Sequence, residues 1–177
     1  MGKIIAVFGS SRPLEDDPEY AVAYNVGKKL GRAGFTVCNG GYSGIMTASA
    51  HGAKDAGAET IGVITSFFQR SANQWIDKVI TMPSLIERLM KLVELGDGYV
   101  VLKGGTGTLL ELSCVWEFIN KGLIPEKPIV VLGDFWGNVI ETLRNELLWE
   151  GLGDCTRFIS RAETPEECAR LLRSRLG

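Results

Sequence analysis

Tyr99-Val100-Val101-Leu102-Lys103-Gly104-Gly105-Thr106-Gly107-Thr108-Leu109-Leu110-Glu111 reads as a buried strand that runs into a glycine-rich turn and then a helix. The strand follows from consecutive strand-prone apolar residues held between Gly98 and Gly104. The helix follows from Leu109, Leu112, Val115, Trp116 and Ile119 at helical spacing. Between the two, Gly104, Gly105 and Gly107 permit a close backbone approach or a positive φ that side chains would forbid. The hydroxyls of Thr106 and Thr108 and the unpaired N–H groups of the first helical turn then face one small volume. Such a volume suits an anion, most often a phosphate. A tight turn without a ligand is the alternative. Glu111 weighs against it: one turn into the helix, its carboxylate would repel a phosphate and is better placed to reach a sugar or a water.

Outward from this stretch, strands and helices alternate. Lys3 to Phe8 forms a first apolar strand ending at Gly9-Ser10-Ser11, and Asp16-Asp17-Pro18 opens a helix through Leu30. Phe35 to Cys38 is a second strand, ending at Asn39-Gly40-Gly41-Tyr42-Ser43-Gly44, and an alanine-rich helix follows from Ile45 to Ala56. Thr60 to Ile64 is a third strand. Thr65 to Trp75 carries aromatics without a period and reads as a functional or interface loop. Lys78 to Thr81 is a short strand. Ser84-Leu85-Ile86-Glu87 is a capping box that opens a helix to Leu95. After the central helix, Pro128 to Leu132 is a strand, Trp136 to Trp149 a helix and Arg157 to Ile159 a short last strand. Thr164-Pro165-Glu166-Glu167 caps the terminal helix.

Unbroken apolar strands joined by helices specify an α/β fold: a single-domain, doubly wound, Rossmann-like parallel sheet over residues 1–177, covered by helices on both faces. Ligands of such sheets bind beyond the carboxyl ends of the strands. Three of those ends carry glycine-rich or Gly-Ser turns, at Gly9 to Ser11, Gly40 to Gly44 and Gly104 to Thr108. Three at one sheet edge argue for a phosphate-bearing ligand where a single one would not.

The 177 residues are 45% hydrophobic and 23% charged, with a net charge of −2. That length suits one core. A balance so near neutral gives no footing for nucleic acid or an anionic membrane as partner. No apolar run approaches the roughly 20 residues that span a bilayer. Met1 to Gly9 lacks a basic n-region and reads as a strand rather than a signal sequence. Cys38, Cys114, Cys155 and Cys168 have no paired spacing and read as reduced thiols, and His51 is the lone histidine, so no metal site is expected. A cytoplasmic protein is the expectation.

Two common nucleotide signatures fail. The dinucleotide fingerprint needs G-x-G-x-x-G after the first strand and an acidic residue ending the second, whereas this chain has Gly9-Ser10-Ser11 and Cys38-Asn39. No Gly-Lys-Ser/Thr follows any glycine run, so a P-loop is absent as well. The ligand expected is a mononucleotide or sugar phosphate.

Gly104-Gly105-Thr106-Gly107-Thr108-Leu109-Leu110-Glu111 resembles the P-G-G-x-G-T-x-x-E motif of the lonely-guy family, the cytokinin riboside monophosphate phosphoribohydrolases and related nucleosidases, some of them labelled possible lysine decarboxylases. Gly9-Ser10-Ser11 resembles that family's first turn, and Asn39-Gly40-Gly41-Tyr42-Ser43-Gly44-Ile45-Met46 its G-G-G-x-x-G-L-M. Asp97 falls on an aspartate before the central strand, and Arg88 on the arginine of an R-K-x-x-M helix. Lys103, Leu89 and Asn39 depart from the pattern, where the family has proline, lysine and glycine, and mark a divergent member.

The resemblance implies hydrolysis of the N-glycosidic bond of a nucleoside 5′-monophosphate, with Arg88 and Glu111 as the catalytic pair. The phosphate and substrate would be held by Gly9, Ser10, Ser11, Gly40, Gly41, Gly44, Gly104, Gly105, Thr106, Gly107 and Thr108. It implies no cofactor and a homodimer or higher homo-oligomer. The exposed-aromatic reading of Phe67, Phe68, Trp75, Trp116 and Phe118 points to an oligomer as well. A non-catalytic branch of the superfamily carries molybdenum cofactor, so a carrier of a phosphorylated ligand is the alternative.

Overall fold

The computed structural model describes residues 2–177. Its seven strands form one parallel sheet in the order β4-β3-β2-β1-β5-β6-β7. They are β1 (Ile4–Phe8), β2 (Thr36–Asn39), β3 (Thr60–Thr65), β4 (Lys78–Met82), β5 (Gly98–Val101), β6 (Ile129–Leu132) and β7 (Ile159–Ala162). The helices are α1 (Pro18–Arg32), α2 (Ile45–Asp55), α3 (Leu85–Leu95), α4 (Thr106–Asn120), α5 (Gly137–Trp149) and α6 (Pro165–Leu176). The strand order reverses between β1 and β5, which is the switch point of a doubly wound sheet.

Successive strand residues face opposite sides, and the two cores follow that alternation. On one face Ile5, Val7, Val37, Val100 and Val130 pack against Val26 and Leu30 of α1, Ala48 of α2 and Leu172 of α6. On the other, Ala6, Phe8, Tyr99, Val101 and Val131 pack against Leu92 of α3 and Leu112, Val115 and Trp116 of α4, with Ile140 and Leu147 of α5 at the margin. The central strand β5 lies between β1 and β6, all four of its residues buried. Asp97, just ahead of it, accepts the N–H of Ile4 at 2.8 Å and pairs with Lys3 at 3.2 Å, which ties β1 to β5.

The capping residues do what their spacing requires, with one change. Ser84 Oγ accepts the Glu87 N–H and Thr164 Oγ1 the Glu167 N–H, both at 3.2 Å. The glutamates answer elsewhere: Glu87 accepts the Ser84 hydroxyl and Glu167 the N–H of Glu163. The last strand lies at Ile159–Ala162 rather than at Arg157 to Ile159. It is an edge strand whose middle residues Ser160 and Arg161 interrupt the apolar pattern, and Phe158 is buried just before it in the core. The aromatic reading also needs correction. Trp116 is a core residue whose indole N–H donates to the Cys155 carbonyl at 2.8 Å. Trp75 is stacked on His51 with ring centroids 3.9 Å apart. Phe67 and Phe68 remain exposed. Among the described residues no helix is long and apolar enough to cross a membrane.

Candidate active site

The turns after β2, β1 and β5 stand side by side because those strands are neighbours, and a cavity of about 650 Å³ opens against them. Its wall takes Gly9, Ser10 and Ser11 from the first turn and Gly105, Gly107 and Thr108 from the third. Arg88 of α3 and Glu111 of α4 line it as well. A cavity of that size accommodates a mononucleotide.

The turn after β5 is built around donors that the protein leaves unused. Among the hydrogen bonds of the described residues, none is donated by the backbone N–H of Gly104 through Thr108. These include the N–H groups of the first turn of α4, which has no side-chain cap. Nothing stands within 4 Å of where a Cβ would sit on Gly105 or Gly107, so the backbone there lies open to a ligand. None of the three glycines has a positive φ, so close approach, and not left-handed backbone, is what they supply. Gly104 lies behind the wall, where a Cβ would press on Thr108 Oγ1 at 2.1 Å. Thr106 is exposed and does not line the cavity, so of the two threonines only Thr108 borders the site.

Arg88 is held from beneath. Its Nε donates to the Val63 carbonyl at 2.7 Å and its Nη2 to the Gly40 carbonyl at 3.0 Å, and its guanidinium lies 5.5 Å from the centre of the Tyr42 ring. Nε and Nη2 are thereby committed to the end of β3 and the turn after β2, with Nη2 also 3.9 Å from Met46 Sδ, which leaves the two Nη1 donors for a ligand. Gly40 is required for this: a Cβ there would stand 1.7 Å from Arg88 Nη2. Gly44, at φ 65°, lets the chain turn tightly against the backbone of Ser10 and Ser11. Gly40, Gly41 and Gly44 therefore shape the site from behind and do not form its wall.

Asn39, where the family resemblance has a glycine, is fully buried. Its amide donates to the Met46 carbonyl at 2.8 Å and Ser49 Oγ at 3.0 Å, while its carbonyl accepts the Gly41 N–H at 2.8 Å. The departure thus braces the turn. Lys103 turns its side chain from the cavity and pairs with Glu19 at 2.8 Å, while its carbonyl accepts the Ser10 N–H. Leu89 adds an apolar wall.

Glu111 is half-buried, and burial pushes its carboxyl up to about 7, against the opposing pull of the Arg88 charge. Burial in turn lowers the pKa of Arg88, against the attraction of Glu111. The two form no salt bridge among the described residues, because Arg88 is held on backbone carbonyls. A carboxyl shifted toward neutrality in a cavity that also holds a fixed guanidinium makes the pair a candidate functional site. No group of three or more His, Cys, Asp or Glu with metal-holding geometry occurs among the described residues.

Tyr42, Ser43, Met46, Phe67, Phe68, Arg70, Leu85 and Leu110 also line the cavity, although none is among the site residues expected from the sequence. Two signals for them existed. Tyr42 and Ser43 lie within the second glycine run, and Phe67, Phe68 and Arg70 lie in the loop marked by its lack of period.

A sequence profile described as the SLOG cluster4 family matches residues 2–167. A Mycobacterium tuberculosis protein named cytokinin riboside 5′-monophosphate phosphoribohydrolase is 32% identical over 137 residues, 76% of this chain and 72% of that one. Among solved structures, the molybdenum cofactor binding protein from Rippkaea orientalis is 26% identical with a TM-score of 0.76, covering 100% of this chain and 99% of that one. The molybdenum cofactor carrier protein from Chlamydomonas reinhardtii has a TM-score of 0.77 at 21% identity over 98% of each chain, a likeness of fold.

Proposed function

We propose, for a chain that belongs to the SLOG cluster4 family and is a divergent lonely-guy relative, that it hydrolyses the N-glycosidic bond of a nucleoside 5′-monophosphate to free base and ribose 5-phosphate. The whole chain, residues 1–177, acts as one nucleotide-binding domain. The observation that carries the reading is the pairing, across one cavity, of an anion-ready turn with a carboxyl raised to about 7.

The open N–H groups of Gly105 to Thr108, with Ser10 and Ser11, hold the 5′-phosphate. That anchor sets the ribose between Glu111 and Arg88. As the carbon–nitrogen bond lengthens, positive charge grows on the sugar, and the ionised Glu111 stabilises it while holding a ribose hydroxyl or the attacking water. The water adds its oxygen to C1 of the ribose, and its proton goes by way of Glu111 to the departing base. Arg88 arrives with its fork already fixed, so substrate binding costs little side-chain entropy there.

The likeness to the Rippkaea orientalis protein at 26% identity favours a second reading, a non-catalytic holder of a phosphorylated ligand at the same turn. Incubation of the pure protein with AMP, GMP, IMP, CMP and UMP, followed by chromatography of free bases, separates the two. Release of base from a nucleotide, but not from the phosphate-free nucleoside, supports hydrolysis. Binding of nucleotides without any release supports the holder.

A further inference from the structure

We infer that the loop after β3 is the base-recognition element of this site and that Arg70 selects 6-oxopurines. The inference rests on the phosphate position proposed above. In the strand order β3-β2-β1-β5, the loop after β3 lies three strand spacings from the anion turn after β5, roughly 14 Å at about 4.8 Å per strand. A nucleotide whose phosphate sits on that turn and whose ribose lies at Glu111 directs its base along this row, toward Phe67, Phe68 and Arg70.

The loop is tied to the turn after β2 at both ends, with a short 3-10 turn over Ser66–Phe68 between them. At its start Thr65 accepts the Tyr42 hydroxyl at its carbonyl and gives its N–H to that oxygen at 2.9 Å. At its end Asn73 donates to the carbonyls of Gly41 and Tyr42. Between these posts Phe68 meets the Tyr42 ring edge-on at 5.7 Å and Phe67 at 5.6 Å, yet both remain exposed at the cavity. Gln69 follows with φ 50°, the one positive φ of a non-glycine among the described residues. Exposed aromatic faces of this kind stack on bases without telling one base from another.

Discrimination needs a group that reads the base edge. The Tyr42 hydroxyl is committed to Thr65 and the Ser43 hydroxyl donates to the Ser11 carbonyl. Met46, Leu85 and Leu89 offer no strong donor, and the free donors of Arg88 are placed at the ribose in the reading above. Arg70 lines the cavity and makes no hydrogen bond or salt bridge among the described residues. A guanidinium only donates, in a fork that matches the O6 and N7 acceptors of guanine and hypoxanthine. Adenine sets an amino group against that fork, and a pyrimidine lacks N7.

Titration calorimetry of the full chain carrying Glu111→Gln, chosen to suppress turnover, with GMP, IMP, AMP and UMP tests this. GMP and IMP are expected to bind on the order of tenfold more tightly than AMP, the effect of one bidentate contact. Arg70→Ala should reduce GMP and IMP to the AMP value and leave AMP unchanged. Arg70→Lys, which keeps the charge without the fork, should also lose the preference. Phe68→Ala should weaken all purines alike. Equal affinities for GMP and AMP, or an Arg70→Ala loss shared equally by every nucleotide, overturns the inference. The outcomes separate from those of the hydrolytic reading: a GMP preference in binding with no base release by the wild type refutes hydrolysis and upholds Arg70, and release without preference does the reverse.

Discussion

Glu111 carries the chemistry in this account, and its raised pKa has consequences for stability and rate that can be read separately. The folded protein retains a proton on Glu111 up to about pH 7, whereas the unfolded chain releases it near 4.5. Stability from this group is therefore complete below about pH 4.5 and is lost as pH rises to about 7, on the order of 3 kcal/mol in all. Glu111→Gln should remove that slope, so the variant should melt higher than the wild type at pH 8 and match it more closely at pH 5. Its base release should fall by roughly 10² to 10⁴. In the wild type, kcat/KM should rise with pH to a plateau, its midpoint near 7, because the ionised form acts; a falling limb there would assign Glu111 as an acid. Gly40→Ala probes the placement of Arg88 while leaving that residue itself unchanged. The new methyl displaces the flexible end of the guanidinium, so turnover should drop about 10- to 100-fold while circular dichroism stays unchanged. Residues of this kind were legible only in part. Glu111 announced itself one turn past the glycines, whereas the anchoring of Arg88 on Val63 and Gly40 depends on contacts 25 and 48 residues apart, which no local pattern encodes.

The elements were legible where the pattern was strong. Buried central strands read directly as apolar runs between glycines, and helix starts read from Ser84 and Thr164. The edge strand β7 read poorly because one of its faces meets solvent and its polar residues hide the period. Leu85 belongs to the periodic apolar set of α3 but lies exposed at the cavity rim, since periodicity assigns a face and not what covers it. The turn after β5 makes the prediction proper to this scale. In a crystal soaked with sulfate, the anion should sit on the N–H groups of Gly105 to Thr108, which the fold leaves open. An ordered sulfate at another place, with this turn vacant, would contradict that reading.

At the scale of the molecule, α3 and α4 expose an apolar face beside the site. Ile86, Met90 and Leu110 are 64%, 38% and 54% exposed, and Leu85 and Leu109 of the same two helices are exposed as well. Large apolar side chains exposed on two neighbouring helices favour an interface. A homodimer closing on this face is expected, with the cavity at its edge, for a reason different from the core-bound Trp116. Light scattering after size exclusion should give twice the 19.3 kDa chain mass, and Ile86→Glu should return the monomer. A wild-type monomer at micromolar concentration would refute the expectation.

The central claim is that this site cleaves a nucleotide, and product stoichiometry tests it most directly. Wild-type protein and Glu111→Gln are each incubated with GMP at pH 8, and free base and ribose 5-phosphate are quantified over time. The account predicts equal molar amounts of both products from the wild type and nearly none from the variant. Failure of the wild type to release base from GMP or any other nucleoside monophosphate, or unchanged release by Glu111→Gln, would contradict it.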